Sequence, residues 1–351
     1  MMSEMNLLLV EDHEQDITSC MNAVNDFMED ESCTVNVKVC SNVEDALLSL
    51  SQSYYDGAII DMRLANEGDE GNQITEQIKN TFRRIPVVIM TGTPDSALTE
   101  GIPLVGLFKK GETKYYEIIK ELWDIYKTGL TKIMGGTGFI EKSLSEIFIK
   151  NLIPYRNKWK TYGNIDSVRT EKAFLRHAIS HLNHLLADGF EKCYPEEFYL
   201  YPTFSKKIST GVVLINKESK ISYVAMNPAC DLALRENGDC NTDRALLVEI
   251  EEKKDLFPNF DWENLSNSNK KELDKAYKNN KSGYYHFLPK TDFFKGGFLN
   301  FRRISTYSEH EMKAIFDNSD IQISSSFLKD IISRFSSYYA RQGQPDIDHD
   351  L

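Results

Sequence analysis

Three acidic side chains near the start of the chain are placed where they can bind a cation and accept a phosphoryl group. Glu11 and Asp12 directly follow the apolar run at residues 7–10, and Asp61 directly follows the apolar run at residues 58–60. Carboxylates held close together strongly disfavour shared ionisation. A hard cation such as Mg²⁺ resolves that conflict, and it also neutralises an incoming phosphoryl group that one of the carboxylates then attacks.

A hydroxyl group and an ammonium group follow two further apolar runs. Thr91 closes the run at residues 87–90, while Lys109 and Lys110 follow the run at residues 104–108. Both groups donate hydrogen bonds that suit phosphoryl oxygens. We therefore expect Thr91 and one of the two lysines to lie beside the carboxylates.

The elements that must position these side chains are strands of a parallel sheet. Five apolar runs alternate with stretches of helical periodicity through residues 1–127. This alternation predicts a parallel sheet that is covered by helices on both faces. Ligands of such sheets collect beyond the carboxyl ends of the strands, which is where the acids, the threonine and the lysines stand.

Four motifs in this order, LLLVED, AIIDMRLA, VVIMTGT and LFKKG, resemble the receiver domain of two-component response regulators. The resemblance extends over about residues 5–127. It implies an α/β fold of the flavodoxin-like type, with a doubly wound, five-stranded parallel sheet. The interval between Thr91 and Lys110 is a few residues shorter than is usual in the family, so we expect the fourth helix to be short or irregular.

The resemblance implies a role for each matching residue. Lys110 fits the family's hydrophobic-x-Lys-Gly ending better than Lys109 does, although the spacing alone leaves both open. The implied roles are phosphoacceptor for Asp61, Mg²⁺ ligand for Glu11, Asp12, Asp61 and the carbonyl group of Arg63, switch hydroxyl for Thr91, and phosphate-binding lysine for Lys110.

The remaining two-thirds of the chain has a different pattern. Residues 128–138 are rich in Gly and Thr and are typical of a linker, and two helical stretches follow. From residue 198, short β-like runs predict a β-rich, small barrel-like domain that ends in a helix at residues 326–339. We therefore expect a receiver domain at 1–130, a helical connector at 131–190 and a β-rich output domain at 191–345.

Charge and composition exclude several classes of protein. The chain has 351 residues and a net charge of −12, of which residues 1–130 carry −13 and the rest +1. Neither part offers the basic face of a DNA-binding domain, so we do not expect the chain to bind nucleic acid. The six cysteines form no CxxC pair, and we find neither a signal peptide nor a membrane span. We expect a reduced, cytoplasmic protein.

Cys230 and Asp231 form the most distinctive local pattern of the output region. A strand ends at Asn227-Pro228, so a thiolate at the start of the next turn is a candidate nucleophile, with His286 or His310 as its base. The alternative is a buried cysteine with Asp231 capping the turn. On a predicted helix, His177 opens a histidine series at positions i, i+4 and i+7 that suits either a metal or a helix-pairing face.

The function predicted from the sequence is that of a phosphorelay response regulator. A sensor histidine kinase would donate the phosphoryl group to Asp61 with Mg²⁺ as the cofactor, and the receiver would control the output region. The sequence leaves open whether the chain forms a homodimer. We expect no separate enzymatic activity beyond the receiver's own phosphorylation and dephosphorylation. The chain also resembles response-receiver proteins of bacterial conflict systems. The alternatives are an effector enzyme (a hydrolase or nuclease) in such a defence system and an atypical transcription regulator.

Overall fold

The computed structural model describes residues 4–64, 70–81, 83–92, 94–185, 192–233 and 240–341. Within it the chain divides into two compact units, Met1–Gly189 and Phe190–Leu351. The expected boundaries at residues 190 and 345 fall outside the described residues.

The first unit is built on a five-stranded parallel sheet in the order β2-β1-β3-β4-β5, as the sequence predicts. Four longer helices follow the strands, with α1 after β1, α2 after β2, α3 after β3 and α4 after β5. The strands are β1 (Glu4–Val10), β2 (Thr34–Cys40), β3 (Gly57–Ile60), β4 (Val87–Thr91) and β5 (Leu104–Lys109). The helices are α1 (Glu14–Glu31), α2 (Val43–Gln52), α3 (Gly71–Asn80) and α4 (Tyr115–Lys127).

Both faces of the sheet are buried at the three central strands, over residues 7–10 of β1, 57–60 of β3 and 87–91 of β4, which explains why these stretches are continuous apolar runs. Side chains alternate between faces along a strand, so Leu7 and Leu9 pack with α1 and α4. Leu8 and Val10 pack on the opposite face with α2 and α3. The unit is therefore doubly wound and has the flavodoxin-like strand order.

In the described part of the connection between β4 and β5, residues 94–103, one 3-10 turn at Pro94–Ser96 stands in place of a fourth helix. The expected shortening of this helix is confirmed. Residues 92–103 include two prolines and two glycines, and Gly101 has a φ of 76°. Proline removes a helical N–H and glycine costs helix-forming free energy, so this short segment cannot sustain a helix.

A helical region completes the first unit, and it begins inside the segment expected to be a linker. Helix α5 (Leu130–Met134) is tied to the sheet layer, because the Thr131 hydroxyl donates to Asp56 Oδ1 at 2.8 Å. Arg84 donates to the carbonyl of Met134 and forms an ion pair with Glu141. The further helices are α6 (Phe139–Ile147), α7 (Arg156–Ile165) and α8 (Ser167–Leu185), with one π turn (Phe148–Leu152) and one 3-10 turn (Ile153–Tyr155) between α6 and α7.

The second unit is an antiparallel sheet of seven strands with helices, in the order β10-β11-β9-β8-β7-β12-β6. The predicted β-rich domain with a C-terminal helix is confirmed. Among the described residues, β10 and β6 are the two ends of the order and no pairing joins them. The strands are β6 (Tyr199–Leu200), β7 (Val212–Asn216), β8 (Ser222–Ala225), β9 (Arg244–Glu251), β10 (Tyr285–Leu288), β11 (Gly297–Ser308) and β12 (Phe316–Ile323).

Each face of the second sheet has its own apolar core. The last helix, α12 (Ser325–Tyr339), buries Ile331 and packs the stripe that includes Phe327 and Phe335 against one face. Met312 from the short helix α11 covers the other face together with Phe316. The helices of this unit are α9 (Lys253–Leu256), α10 (Asn267–Tyr277), α11 (Glu309–Ile315) and α12.

No helix within the described ranges is both long enough and apolar enough to cross a membrane.

Candidate functional site

Parallel pairing of β1 and β3 brings the acidic residues together. Val10 is in register with Ile60, so the residues that follow them leave the sheet at the same edge. The backbone N–H of Asp61 donates to the carbonyl of Val10 at 2.9 Å, which holds the start of the loop against β1. As a result, carboxylate oxygens of Glu11, Asp12 and Asp61 all lie within 4.8 Å of one another.

Lys110, and not Lys109, lies among these carboxylates. Its ammonium group donates to Glu11 Oε2 at 2.6 Å, to Asp61 Oδ2 at 2.7 Å and to Asp16 Oδ2 at 2.9 Å. Lys109 is in register with Thr91 in the sheet and pairs with Glu112 at the surface. The structure thus distinguishes the two lysines that the spacing left open.

Burial and neighbouring charges shift the pKa values of Glu11 and Lys110. Glu11 is almost fully buried, and this burial raises the pKa of its carboxyl group above the ordinary value, against the lowering effect of Lys110. Burial by itself would lower the pKa of Lys110. Its hydrogen bonds to Asp61, Glu11 and Asp16 outweigh that effect and raise the pKa, so the ammonium stays charged.

Thr91 and Arg63 flank the acidic group. Thr91 is the last residue of β4 and is fully buried, and its carbonyl accepts the backbone N–H of Lys110 at 3.0 Å. The backbone N–H of Arg63 donates to Asp61 Oδ1 at 3.2 Å. Arg63 therefore lies in the loop that holds the Asp61 side chain.

Sequence reasoning missed Asp16 and Gly71. Asp16 lies in the first turn of α1 and shares Lys110 with the other acids. The sequence signal for Asp16 was its position four residues after Asp12, which itself follows the end of β1 closely. Gly71 opens α3, where a Cβ atom would come within 2.4 Å of the carbonyl oxygen of Asp61 and 2.7 Å of the Cα atom of Met62. A glycine is thus required for the loop after β3 to lie this close to the helix.

The donor set suits Mg²⁺. Glu11, Asp12 and Asp61 offer only carboxylate oxygens, which are the ligands that this hard cation prefers, and Asp12 is open to solvent. A cation at this place would offset negative charge that Lys110 alone does not balance. Among the residues that the structure describes, this is the one group of three or more acidic, histidine or cysteine side chains close enough to share an ion.

Cys230 and Asp231 do not form a comparable site. Cys230 lies in an exposed turn, so the interpretation as a buried core cysteine is wrong. Its Sγ atom is 3.6 Å from Asp231 Oδ1, and no hydrogen bond or ion pair with a histidine is found for it within the described ranges. His286, one of the two candidate bases, is buried in the β10 strand, where burial lowers its pKa to about 4.

The comparison with known families agrees with the geometry of the first unit. Residues 7–106 match the response regulator receiver domain. This domain is typical of two-component response regulators, and the matched range contains both acidic loops and Thr91 and ends just before Lys110. No curated protein matches the chain.

Solved receiver domains are similar to the first unit over about a third of the chain. One is the N-terminal domain of a response regulator/sensory box/GGDEF protein from Carboxydothermus hydrogenoformans, with 22% identity, coverage of 36% of this chain and 98% of that one, and a TM-score of 0.29. Another is the receiver domain of a sensor histidine kinase from Pseudomonas aeruginosa with a magnesium ion in its active site cleft, with 21% identity, coverage of 35% and 97%, and a TM-score of 0.27.

Proposed function

We propose that the first unit is a phosphorylatable receiver and that Asp61 accepts the phosphoryl group. The observation that carries this proposal is the convergence of three carboxylates on one sheet edge, with the Lys110 ammonium 2.7 Å from Asp61. Such a group combines a nucleophilic carboxylate with positive charge placed for phosphoryl oxygens.

The donor that we propose is the phosphohistidine of a sensor histidine kinase. A carboxylate oxygen of Asp61 forms a bond to phosphorus while the bond from phosphorus to the imidazole nitrogen breaks, and the imidazole leaves. Mg²⁺, held by Glu11, Asp12, Asp61 and the carbonyl of Arg63, would neutralise phosphoryl charge. Lys110 would then exchange its contact with Asp61 for one with a phosphoryl oxygen, and Thr91 would hold another.

The phosphorylation of Asp61 suggests a role for each of the three segments of the chain. Residues 1–130 act as the receiver, 131–190 as the connector and 191–345 as the output module, in a cytoplasmic protein. The added charge of an acyl phosphate, close to −2, would alter the edge of the sheet where β4 and β5 end. The hydrogen bond between Thr131 of α5 and Asp56 beside β3 would couple a change in the sheet to the connector.

The experiment is phosphorylation of the full chain with Mg²⁺ and acetyl phosphate, followed by intact mass measurement. The wild type is expected to gain the mass of one phosphoryl group, and Asp61→Asn none. Asp26→Asn, a change of an exposed aspartate on α1, is the matched control and should behave as the wild type. A wild type that gains no mass, or an Asp61→Asn variant that still gains it, would contradict the proposal.

A further inference from the structure

Helix α8 presents two opposite apolar faces, and the described residues of the first unit pack against one of them. The inner face contains Thr170, the one buried residue of this 19-residue helix. Next to it, Phe174 and His177 lie against Trp159 of α7, with ring centroids 4.9 and 6.3 Å apart. Packing on α7 therefore holds one face of the helix within the first unit.

The outer face is a regular apolar stripe that the described residues of the first unit leave exposed. Val168, Leu175 and Ile179 are 58%, 62% and 48% exposed, and Leu182 is partly exposed. These four residues are spaced by seven, four and three positions. In a heptad repeat this places Val168, Leu175 and Leu182 at d positions and Ile179 at an a position. Lys172 occupies the remaining a position. We name these five residues the α8 seam.

We propose that the α8 seam binds the α8 seam of a second copy of this chain, with the two helices parallel. The a and d spacing is that of a helix that packs knobs into holes along a like helix. A single lysine at an a position is tolerated in such pairs, because its apolar stem lies along the seam and its ammonium reaches solvent. The inference does not depend on phosphorylation of Asp61.

The charges beside the seam favour a second copy in the parallel direction. Glu171 is at a g position, and Arg176 is at the e position five residues later. In a parallel pair, Glu171 of each copy faces Arg176 of the other, so the twofold symmetry creates two ion pairs. In an antiparallel pair the e positions face each other, which brings Arg169 and Arg176 together and is repulsive.

Prior ordering of α8 makes a short seam sufficient. A seam of about two heptads is too short to hold isolated peptides together. Here α8 is already folded against α7, so association does not have to order the helix and loses less entropy. The apolar surface also extends beyond the seam, because Ile165, at the end of α7, is 79% exposed.

Sedimentation of the full chain over a range of concentrations tests the inference. The wild type is expected to form a dimer reversibly, and Leu175→Asp or Ile179→Asp to raise the dissociation constant about 30-fold or more, since each places two charges in the seam. Leu48→Asp changes a leucine on α2 whose exposure (53%) lies between those of Leu175 and Ile179, and it is the matched control. Far-UV circular dichroism should be the same for all four proteins, because the changed side chains are exposed.

A charge exchange tests the direction of the pair. Glu171→Arg alone and Arg176→Glu alone are each expected to weaken the dimer roughly three- to tenfold, and the double variant to restore it. A wild type that stays monomeric, or a dimer that Leu175→Asp leaves intact, overturns the inference. A monomer that binds a different protein through the α8 seam also overturns it. Arg176→Glu that strengthens the dimer overturns the parallel direction.

Discussion

At the scale of the residue, the first unit concentrates its chemistry around one ammonium group. Lys110 contacts three carboxylates, and two of them, Glu11 and Asp61, are buried. Removing water from a carboxylate is costly unless a positive charge replaces it. Lys110 therefore stabilises the fold in addition to its proposed role with the phosphoryl group.

Lys110→Ala is expected to lower the free energy of unfolding by about 2–4 kcal/mol in a chelating buffer, because it leaves the buried carboxylates without their positively charged partner. Added Mg²⁺ should recover part of this loss. Urea denaturation with and without Mg²⁺ measures both effects. Lys109→Ala, which removes only a surface contact with Glu112, should change stability by less than about 1 kcal/mol. Equal effects of the two variants would contradict this account of the lysines.

His286 is a second residue whose ionisation depends on its place. It is 3% exposed, and burial, with a smaller contribution from the charge of Arg334, lowers its pKa from 6.5 to about 4. The carboxylate of Asp330, which is itself exposed, lies 3.7 Å from its Nδ1 atom. At neutral pH the folded chain therefore holds a neutral imidazole.

This predicts a loss of stability in mild acid. Between about pH 6.5 and pH 4 the unfolded chain binds a proton at His286 and the folded chain does not, so stability is fully present above pH 6.5 and falls as the pH falls. The loss is on the order of 3 kcal/mol, because each tenfold change in proton affinity is worth about 1.4 kcal/mol. Urea denaturation at several pH values measures it. His286→Phe should flatten this part of the profile, and a change of the exposed His310 to Gln should not.

At the scale of the element, close approach of the loop after β3 to helix α3 shapes the acidic site. Gly71 makes this approach possible, and its N–H donates to the carbonyl of Met62 at 2.9 Å. A methyl group at this position meets backbone atoms, which cannot turn away as a side chain can. The loop that carries Asp61 would have to move.

Gly71→Ala is therefore expected to destabilise the first unit by about 1–3 kcal/mol and to slow phosphorylation of Asp61. Gly163→Ala is the matched control: Gly163 lies within α7 with nothing within 4 Å of the added Cβ atom. There, alanine should stabilise the helix by about 1 kcal/mol, since it is a better helix former. Thermal denaturation measures the stability of each variant, and the phosphorylation rate measures the effect on Asp61. A Gly71→Ala variant as stable as the wild type would rule out the steric argument.

At the scale of the whole molecule, the chain contains separate apolar cores for its two compact units. Ile119 belongs to a core of the first unit and Phe301 to a core of the second, and both side chains are fully buried. Units with their own cores unfold as separate cooperative transitions.

Calorimetry should show this separation. Ile119→Ala and Phe301→Ala each leave a cavity that costs about 2–5 kcal/mol, and each should lower the midpoint of a different transition by several degrees. Each variant is the control for the other. A single transition that both variants shift alike would show that the units unfold together.

The sequence by itself determined the first sheet and most of its acidic edge. Strands that are buried on both faces are continuous apolar runs, and the residue after each run leaves the sheet at a known edge. Glu11, Asp12 and Asp61 were therefore recognisable from their positions alone. The C-terminal helix was equally clear, because its periodic stripe through Ile331 is a local pattern.

Only the tertiary structure decided which side chains meet. Lys109 and Lys110 are neighbours in the chain, and the register of β4 with β5 turned one to the surface and the other to the carboxylates. The exposure of Cys230, the order of the seven strands and the face of α8 that packs on α7 likewise have no local signature. Periodicity reports the face of one element, whereas contacts between elements depend on long-range packing that no short stretch of sequence encodes.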